Sequence, residues 1–149
     1  MIAESALRRA EEFFHAEIPL TRAMGVRVVA SDENGFAIEA PVGLNSNHLR
    51  TAFGGSINAV ATLAAYGFLW LGLDDATVHV VVAESSIRFL RPVREIIRAV
   101  CQRPDRNGWE AFQTKFESAG KARIKLRVLV VEAGHTAAEF EGTFVARKS

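Results

Sequence analysis

From Ile57 to Leu73 the chain is nearly all apolar, and a Gly54-Gly55-Ser56 turn opens this run. A helix that is apolar on almost every side must be surrounded, either by protein or by lipid. The run is close to the length of a membrane span. It also contains Asn58, Thr62, Gly67 and Gly72, lacks the basic flank that sets the orientation of a membrane helix, and leads straight into strand-like sequence. The expected reading is therefore the buried central helix of a soluble protein, with a transmembrane helix as the alternative. A chain of 149 residues has the size of one domain, and 49% hydrophobic residues suffice for a full core. One domain over residues 1–149 is expected, with no Pro- or Ser-rich linker dividing it.

The segments around this helix alternate in a simple order. Leu7, Ala10, Phe13 and Phe14 recur at helical spacing, so residues 4–16 form an amphipathic helix that Pro19 ends or follows. Residues 24–31 and 36–40 read as two strands of a hairpin across the turn Asp32-Glu33-Asn34-Gly35, closed by Pro41. A polar loop, 42–53, leads into the central helix, which extends to about residue 72. Strands follow at 78–90 and 93–103. Trp109, Phe112 and Phe116 then mark a short helix at 108–118, with Gly120 as its C-cap. Residues 121–132 alternate most cleanly: Ala122, Ile124, Leu126, Val128 and Val130 on one side, Lys121, Arg123, Lys125 and Arg127 on the other. Residues 135–147 alternate again, with Glu139 and Glu141 outward. No βαβαβ repeat is present, which argues against a doubly wound parallel sheet. The fold class is α+β, an antiparallel sheet wrapped around one long central helix.

Composition excludes several functions. A formal net charge of +1 gives no bulk attraction to nucleic acid or membrane. Residues 4–16 carry too many charges for a signal peptide, and the single Cys101 cannot form an internal disulfide. Both features point to the cytoplasm, and Cys101 sits in a strand pattern as a small core residue. No Walker loop, GxGxxG motif or metal-spaced His/Cys cluster is present, so neither metal nor bound cofactor is expected.

The motifs Leu44-Asn45-Ser46-Asn47-His48, Thr51-Ala52-Phe53-Gly54-Gly55-Ser56, Ile87-Arg88-Phe89-Leu90-Arg91-Pro92 and Gly120-Lys121-Ala122-Arg123 are each weak alone. Their order and spacing resemble the hot-dog fold of acyl-CoA thioesterases and related dehydratases. The particular resemblance is to the thioesterase-like family that also occurs as the C-terminal domain of some acetyltransferase-like proteins. It spans essentially the whole chain. It implies hydrolysis of an acyl-CoA, or an acyl group on a carrier protein, to a carboxylic acid and free thiol, with coenzyme A entering only as part of the substrate. It also implies a homodimer, or a dimer of dimers, with the acyl tunnel at the subunit interface.

Thioester hydrolysis passes through a tetrahedral oxyanion that needs preorganised N–H donors. The first turn of a helix supplies unpaired N–H groups and a positive dipole end, and glycine admits close approach to the backbone. Gly54, Gly55 and Ser56 are the expected oxyanion end, beside Phe53; a tight loop-to-helix turn is the simpler account of the glycines. Many hot-dog thioesterases carry a carboxylate on the central helix two turns further on. Here that position is Thr62, which can orient a water but cannot serve as a strong base. Asn58, Thr62 and Tyr66 form one polar stripe along the helix, which is either part of the site or a set of buried groups bonded locally. Asn45, Asn47 and His48 lie in the preceding loop. Asn47 is a candidate to hold the water or the carbonyl, and histidine as a residue type titrates near neutrality; turn formation and solvation are the alternatives. Glu84 interrupts a valine-rich strand as a substitute base or as an ion-pair partner of Arg88 or Arg98. The row Lys121 to Arg127, with Arg88 and Arg91, is a candidate for the coenzyme A phosphates, against cross-strand pairing with Glu139 and Glu141. Two rival functions remain: a non-catalytic acyl-thioester or fatty-ligand binding domain, and a 3-hydroxyacyl dehydratase.

Overall fold

The computed structural model describes residues 3–149. Helix α1, Glu4–Glu17, buries Ala10 and Phe14 completely. Pro19 does not merely follow it. It opens a second short helix, α2, Pro19–Met24, which the sequence reading did not anticipate. Proline suits a first helical position because its fixed φ is already helical and its missing N–H is not needed there. Gly25, at φ 69°, closes α2 in the left-handed conformation.

Six antiparallel strands form one sheet: β1 Arg27–Asp32, β2 Gly35–Pro41, β3 Val78–Phe89, β4 Ile96–Cys101, β5 Lys121–Glu132 and β6 His135–Lys148. Their spatial order is β1-β2-β4-β5-β6-β3. The hairpin at 27–41 forms across a two-residue turn, with Asp32 Oδ1 accepting the Asn34 N–H at 2.9 Å. Strand β4 is shorter than the sequence pattern implied. Residues 93–95 belong instead to a loop held by the Glu132 carboxylate, which accepts the N–H groups of Arg94, Glu95 and Ile96. Helix α4, Arg106–Ala119, starts earlier than its aromatic spacing implied because Asp105 caps it, accepting the Gly108 N–H at 2.6 Å.

The long helix α3, Gly54–Leu73, lies against one face of this sheet. Ala61, Ala64, Ala65 and Leu69 are fully buried, and small residues let the sheet approach closely. This packing accounts for a run that by length and composition alone would serve as a membrane span. The enclosure is not complete, contrary to expectation. Along one flank Gly55 is exposed, and Ala59 and Thr62 are half-buried; further on, Phe13 of α1 stacks over Tyr66 and Trp70.

Strand pairing fixes which side chains share a face. Phe140, Phe144 and Ala146 of β6 face α3 with Val128, Ile124 and Ala122 of β5. The opposite face carries the charged row, with Lys125 to Glu141 at 3.3 Å and Arg127 to Glu139 at 2.8 Å. Strand β3 is one of the sheet's two edges, the other being β1, and residues 81–86 are exposed along it.

Candidate functional site at the start of the central helix

The N-terminus of α3 is bare. Its first main-chain bond is made by the Ile57 N–H to the Phe53 carbonyl, and no side chain caps it. The N–H groups of Gly54, Gly55 and Ser56 therefore have no acceptor among the described residues, at the positive end of a 20-residue helix. The two glycines do different things. A Cβ on Gly54 would meet only the Phe89 ring, at an ordinary 3.5 Å, whereas one on Gly55 would lie 2.5 Å from Phe53 Cε2. Gly55 thus makes room for the Phe53 ring, and Gly54 keeps the backbone open.

A groove of about 350 Å³ runs past this end, with Thr51, Gly54 and Ile57 on one wall and Phe89, Leu90 and Arg91 on the other. Main-chain bonds fix the two walls: Ala52 N–H to Val93 O at 2.8 Å, and the Leu90 and Arg91 N–H groups to Ala137 O at 2.8 and 3.1 Å. A larger hollow of about 520 Å³ lies between α4 and β5, beside Lys115, Arg123 and Lys125. It contains no part of the 45–56 segment. The smaller groove is the candidate site because the unpaired donors are there.

The loop asparagines are occupied. Asn45 is buried, and its Nδ2 donates to the carbonyls of Met24 at 2.9 Å and Pro41 at 2.8 Å. Asn47 Oδ1 accepts from Leu49 N–H at 2.9 Å and Thr51 N–H at 3.2 Å, while its Nδ2 donates to Thr51 Oγ1 at 3.0 Å. Both side chains shape the loop that leads into α3. His48 lies exposed on that loop, and Arg50 follows at φ 63°.

On α3, the Thr62 hydroxyl donates to the Asn58 carbonyl at 2.8 Å, which leaves only its acceptor lone pairs free. Tyr66 is held under α1; burial pushes its hydroxyl pKa up, and the nearby Glu17 carboxylate adds to this. Asn58 Oδ1 is buried with no donor. The polar stripe is not brought together at the groove: Tyr66 belongs to the α1 contact, and neither Asn58 nor Thr62 is among the residues that line the groove.

Glu84 and Arg88 are not brought to this site. Their cross-strand partners are Thr143 and Glu139, on the sheet face away from α3. Arg88 lies 3.8 Å from Glu139, and Arg98 bonds Glu39 at 2.7 Å, so neither arginine pairs with Glu84. An edge strand explains how Glu84 is tolerated, since its carboxylate stays in water. Arg91 does reach the groove. Sequence reasoning assigned no role to Thr51, Ile57, Phe89 or Leu90; the available signal was the exposed Phe-Leu pair just before Arg91-Pro92. No cluster of His, Cys, Asp and Glu able to hold a metal occurs among the described residues.

Residues 7–148 match the model of a family described as "Putative thioesterase (yiiD_Cterm)". The chain belongs to that family. The fold is that of its structural neighbours, the hot-dog fold. A putative thioesterase from Shewanella oneidensis superposes with a TM-score of 0.87 at 28% identity, covering 97% of this chain and 99% of the other. A protein of unknown function from Chlorobaculum tepidum gives 0.87 at 28% identity, over 95% and 94% of the two chains. A Pseudomonas aeruginosa protein of unknown function, described as a probable thioesterase, gives 0.80 at 23% identity over 100% and 97%, a likeness of fold.

Proposed function

We propose that the protein is an acyl-thioester hydrolase acting on an acyl-CoA or on an acyl group carried by a protein. The observation that carries this reading is the uncapped α3 N-terminus opening on the 350 Å³ groove. A thioester carbonyl laid along the groove would direct its oxygen at the N–H groups of Gly54, Gly55 and Ser56. Attack by water turns that oxygen into an oxyanion, and donors already in place stabilise it without reorganisation. The C–S bond then breaks and the thiolate leaves, taking a proton from solvent. Exposed Phe53, Phe89 and Leu90 offer apolar surface to the acyl or pantetheine chain, and Arg91 offers a charge to a coenzyme A phosphate. Thr62 can orient water only as an acceptor, which leaves His48 as the base candidate of the loop.

The proposed assembly is a homodimer formed along β3. The edge is 12 residues long, and Val81, Val82, Phe89 and Leu90 are 59%, 42%, 54% and 47% exposed. A long apolar edge invites pairing, and a second copy would cover it while closing the groove beside Phe89. A cytoplasmic location accords with the reduced, buried Cys101.

The test is release of free thiol from a panel running from acetyl to palmitoyl and aryl coenzyme A thioesters, read with a thiol reagent. No release above blank across the panel would sink the enzymatic reading. The second reading, an acyl-thioester binding domain, is favoured by Thr62 standing where a carboxylate would act; tight binding without turnover would establish it. The dehydratase reading needs a paired His and carboxylate, and Glu84 lies on the far sheet face from the groove.

A further inference from the structure

Strand β5 is longer than the strand beside it. Strand β4 stops at Cys101, which pairs with Val128, and the Gln102 N–H adds one more bond, to the Arg127 carbonyl at 2.9 Å. The chain then turns away through Pro104 into α4, while β5 reaches back to Lys121. Residues 121–126 therefore have a ladder partner on the β6 side only.

The direction of their main-chain groups follows from the pairing. In an antiparallel ladder a residue points its N–H and C=O at one edge, and successive residues alternate. Arg127 points its carbonyl at the β4 side, so Arg123 and Lys125 point theirs the same way. Both have their N–H and C=O groups without a partner among the described residues. Donors and acceptors together suit another backbone, whereas the start of α3 offers donors alone. An open ladder edge is a template for one more strand.

This edge borders the 520 Å³ hollow between β5 and α4. Helix α4 lines the hollow with Gly108, Ala111 and Lys115, spaced i, i+3, i+7, so that one helix face with small residues leaves the space open. Arg123 and Lys125 project from the outward sheet face, and buried Ile124 from the inward one. Lys125 lies 3.3 Å from Glu141, while Lys115 and Arg123 have no ion-pair partner among the described residues. Asp105 is the one acid on these walls, and its Oδ1 is taken by the Gly108 N–H. The hollow is therefore positively charged.

We propose that this hollow docks an extended acidic segment of another protein, which adds to β5 as an antiparallel strand. Cross-strand partners share a face. Residues of the segment opposite Arg123 and Lys125 lie on the outward face and are acidic. The residue between them, opposite Ile124, turns inward against Ala111 and Phe112 and is apolar. Main-chain bonds supply the affinity, and the acidic–apolar–acidic pattern supplies the selectivity. The docking site is independent of the hydrolase reading.

The probe is a short fluorescein-labelled peptide that alternates glutamate and valine, titrated with the parent protein and followed by anisotropy. Saturable binding is expected, and none for the same peptide with lysine in place of glutamate. In antiparallel register the glutamate N–H groups face β5 and the valine N–H groups face away. N-methylation of the glutamate nitrogens should weaken binding about tenfold or more, and of the valine nitrogens by less than about threefold. Ala111→Trp fills the hollow from α4, and Arg123→Glu reverses the charge of its wall; both sites are exposed, and each variant should lose binding at parental Tm. A variant with a lowered Tm leaves the decision to the methylated peptides, which need no altered protein. No binding of the glutamate peptide would overturn the proposal, and so would equal effects of the two methylations, which charge attraction alone predicts. Binding indifferent to both methylations and displaced by free coenzyme A would make the hollow a phosphate site instead.

Discussion

Gly67, on α3, faces the Phe36 ring of β2 so closely that a Cβ would lie 2.5 Å from Phe36 Cε1 and 2.9 Å from Phe14 Cζ. Both rings are fully buried, so neither has room to swing aside. Ala in place of Gly within a helix gains about 1 kcal/mol of propensity. Overpacking a rigid core costs about 1–3 kcal/mol. Gly67→Ala should therefore be destabilising on balance, by up to about 2 kcal/mol, with a lower denaturant midpoint at unchanged m-value. A midpoint equal to or above that of the parent would mean the helix stands further from the sheet than the structure places it.

Glu132 ties the end of β5 to the loop that forms one groove wall. Desolvation pushes its carboxyl pKa up, but the N–H groups of Glu95, Arg94 and Ile96, with the Arg94 charge, outweigh this and hold it below the ordinary value. The sign follows from that depression. The carboxylate's contribution is present at and above the unfolded pKa of about 4.3 and is lost as pH falls through the folded value. Glu132→Gln should flatten the acid limb of the stability–pH curve below about pH 4 and cost about 1 kcal/mol at neutrality, a small figure because the group is partly in water. Parallel acid limbs for the two proteins would show that the clamp does not titrate.

The charge patterning of the sheet was legible in the sequence, because period-two alternation in β5 and β6 reads directly as two faces. The central helix was legible for a similar reason, since its apolar run has one economical location. Two features were not. Pro19 reads equally as a stop and as a first helical residue, and only Gly25 in the left-handed conformation, six residues on, decides between them. Strand β3 is valine-rich and interrupted by Glu84, and its place at an edge was not decided by the sequence, because local alternation does not encode which neighbour a strand finds. Of the candidate site, the uncapped helix start at Gly54–Ser56 was legible, because free N–H groups in a first turn follow from backbone position alone. The site was illegible at Asn45 and Asn47, whose amides have several possible partners and spend their bonds on the loop itself.

Cys101 is fully buried, and burial pushes its thiol up to about 12, the nearby Arg103 charge notwithstanding. Thiolate is the reactive form. Native protein at pH 8 should give no signal with a thiol reagent on the timescale of an assay, and one equivalent after unfolding. The protein would then add no background to measurements of released coenzyme A. Rapid native labelling would show that the β2–β4 region opens.

The β3 edge makes a separate prediction about assembly. Val82 faces the α3 side of the sheet, paired with Phe144, and is still 42% exposed. In the proposed homodimer it would be covered. Val82→Glu should lower the dimer fraction in sedimentation measurements while leaving the far-ultraviolet circular dichroism unchanged. A dimer of identical affinity would exclude β3 as the contact.

The Asn47 loop links stability to turnover. Asn47→Ala removes acceptor and donor contacts to Leu49 and Thr51, a local network worth about 1–2 kcal/mol by analogy with lost caps. Thr51 lines the groove directly, and Ala52 ties the loop to Val93 on the other side. The expected result is a lower Tm together with a kcat reduced about tenfold, because donors displaced by a fraction of an ångström lose catalytic effect. Asn47→Asp keeps the acceptor for Leu49 and Thr51 N–H groups and should recover most of both. A full loss of turnover at parental Tm, unrepaired by Asn47→Asp, would instead place the Asn47 amide on the substrate.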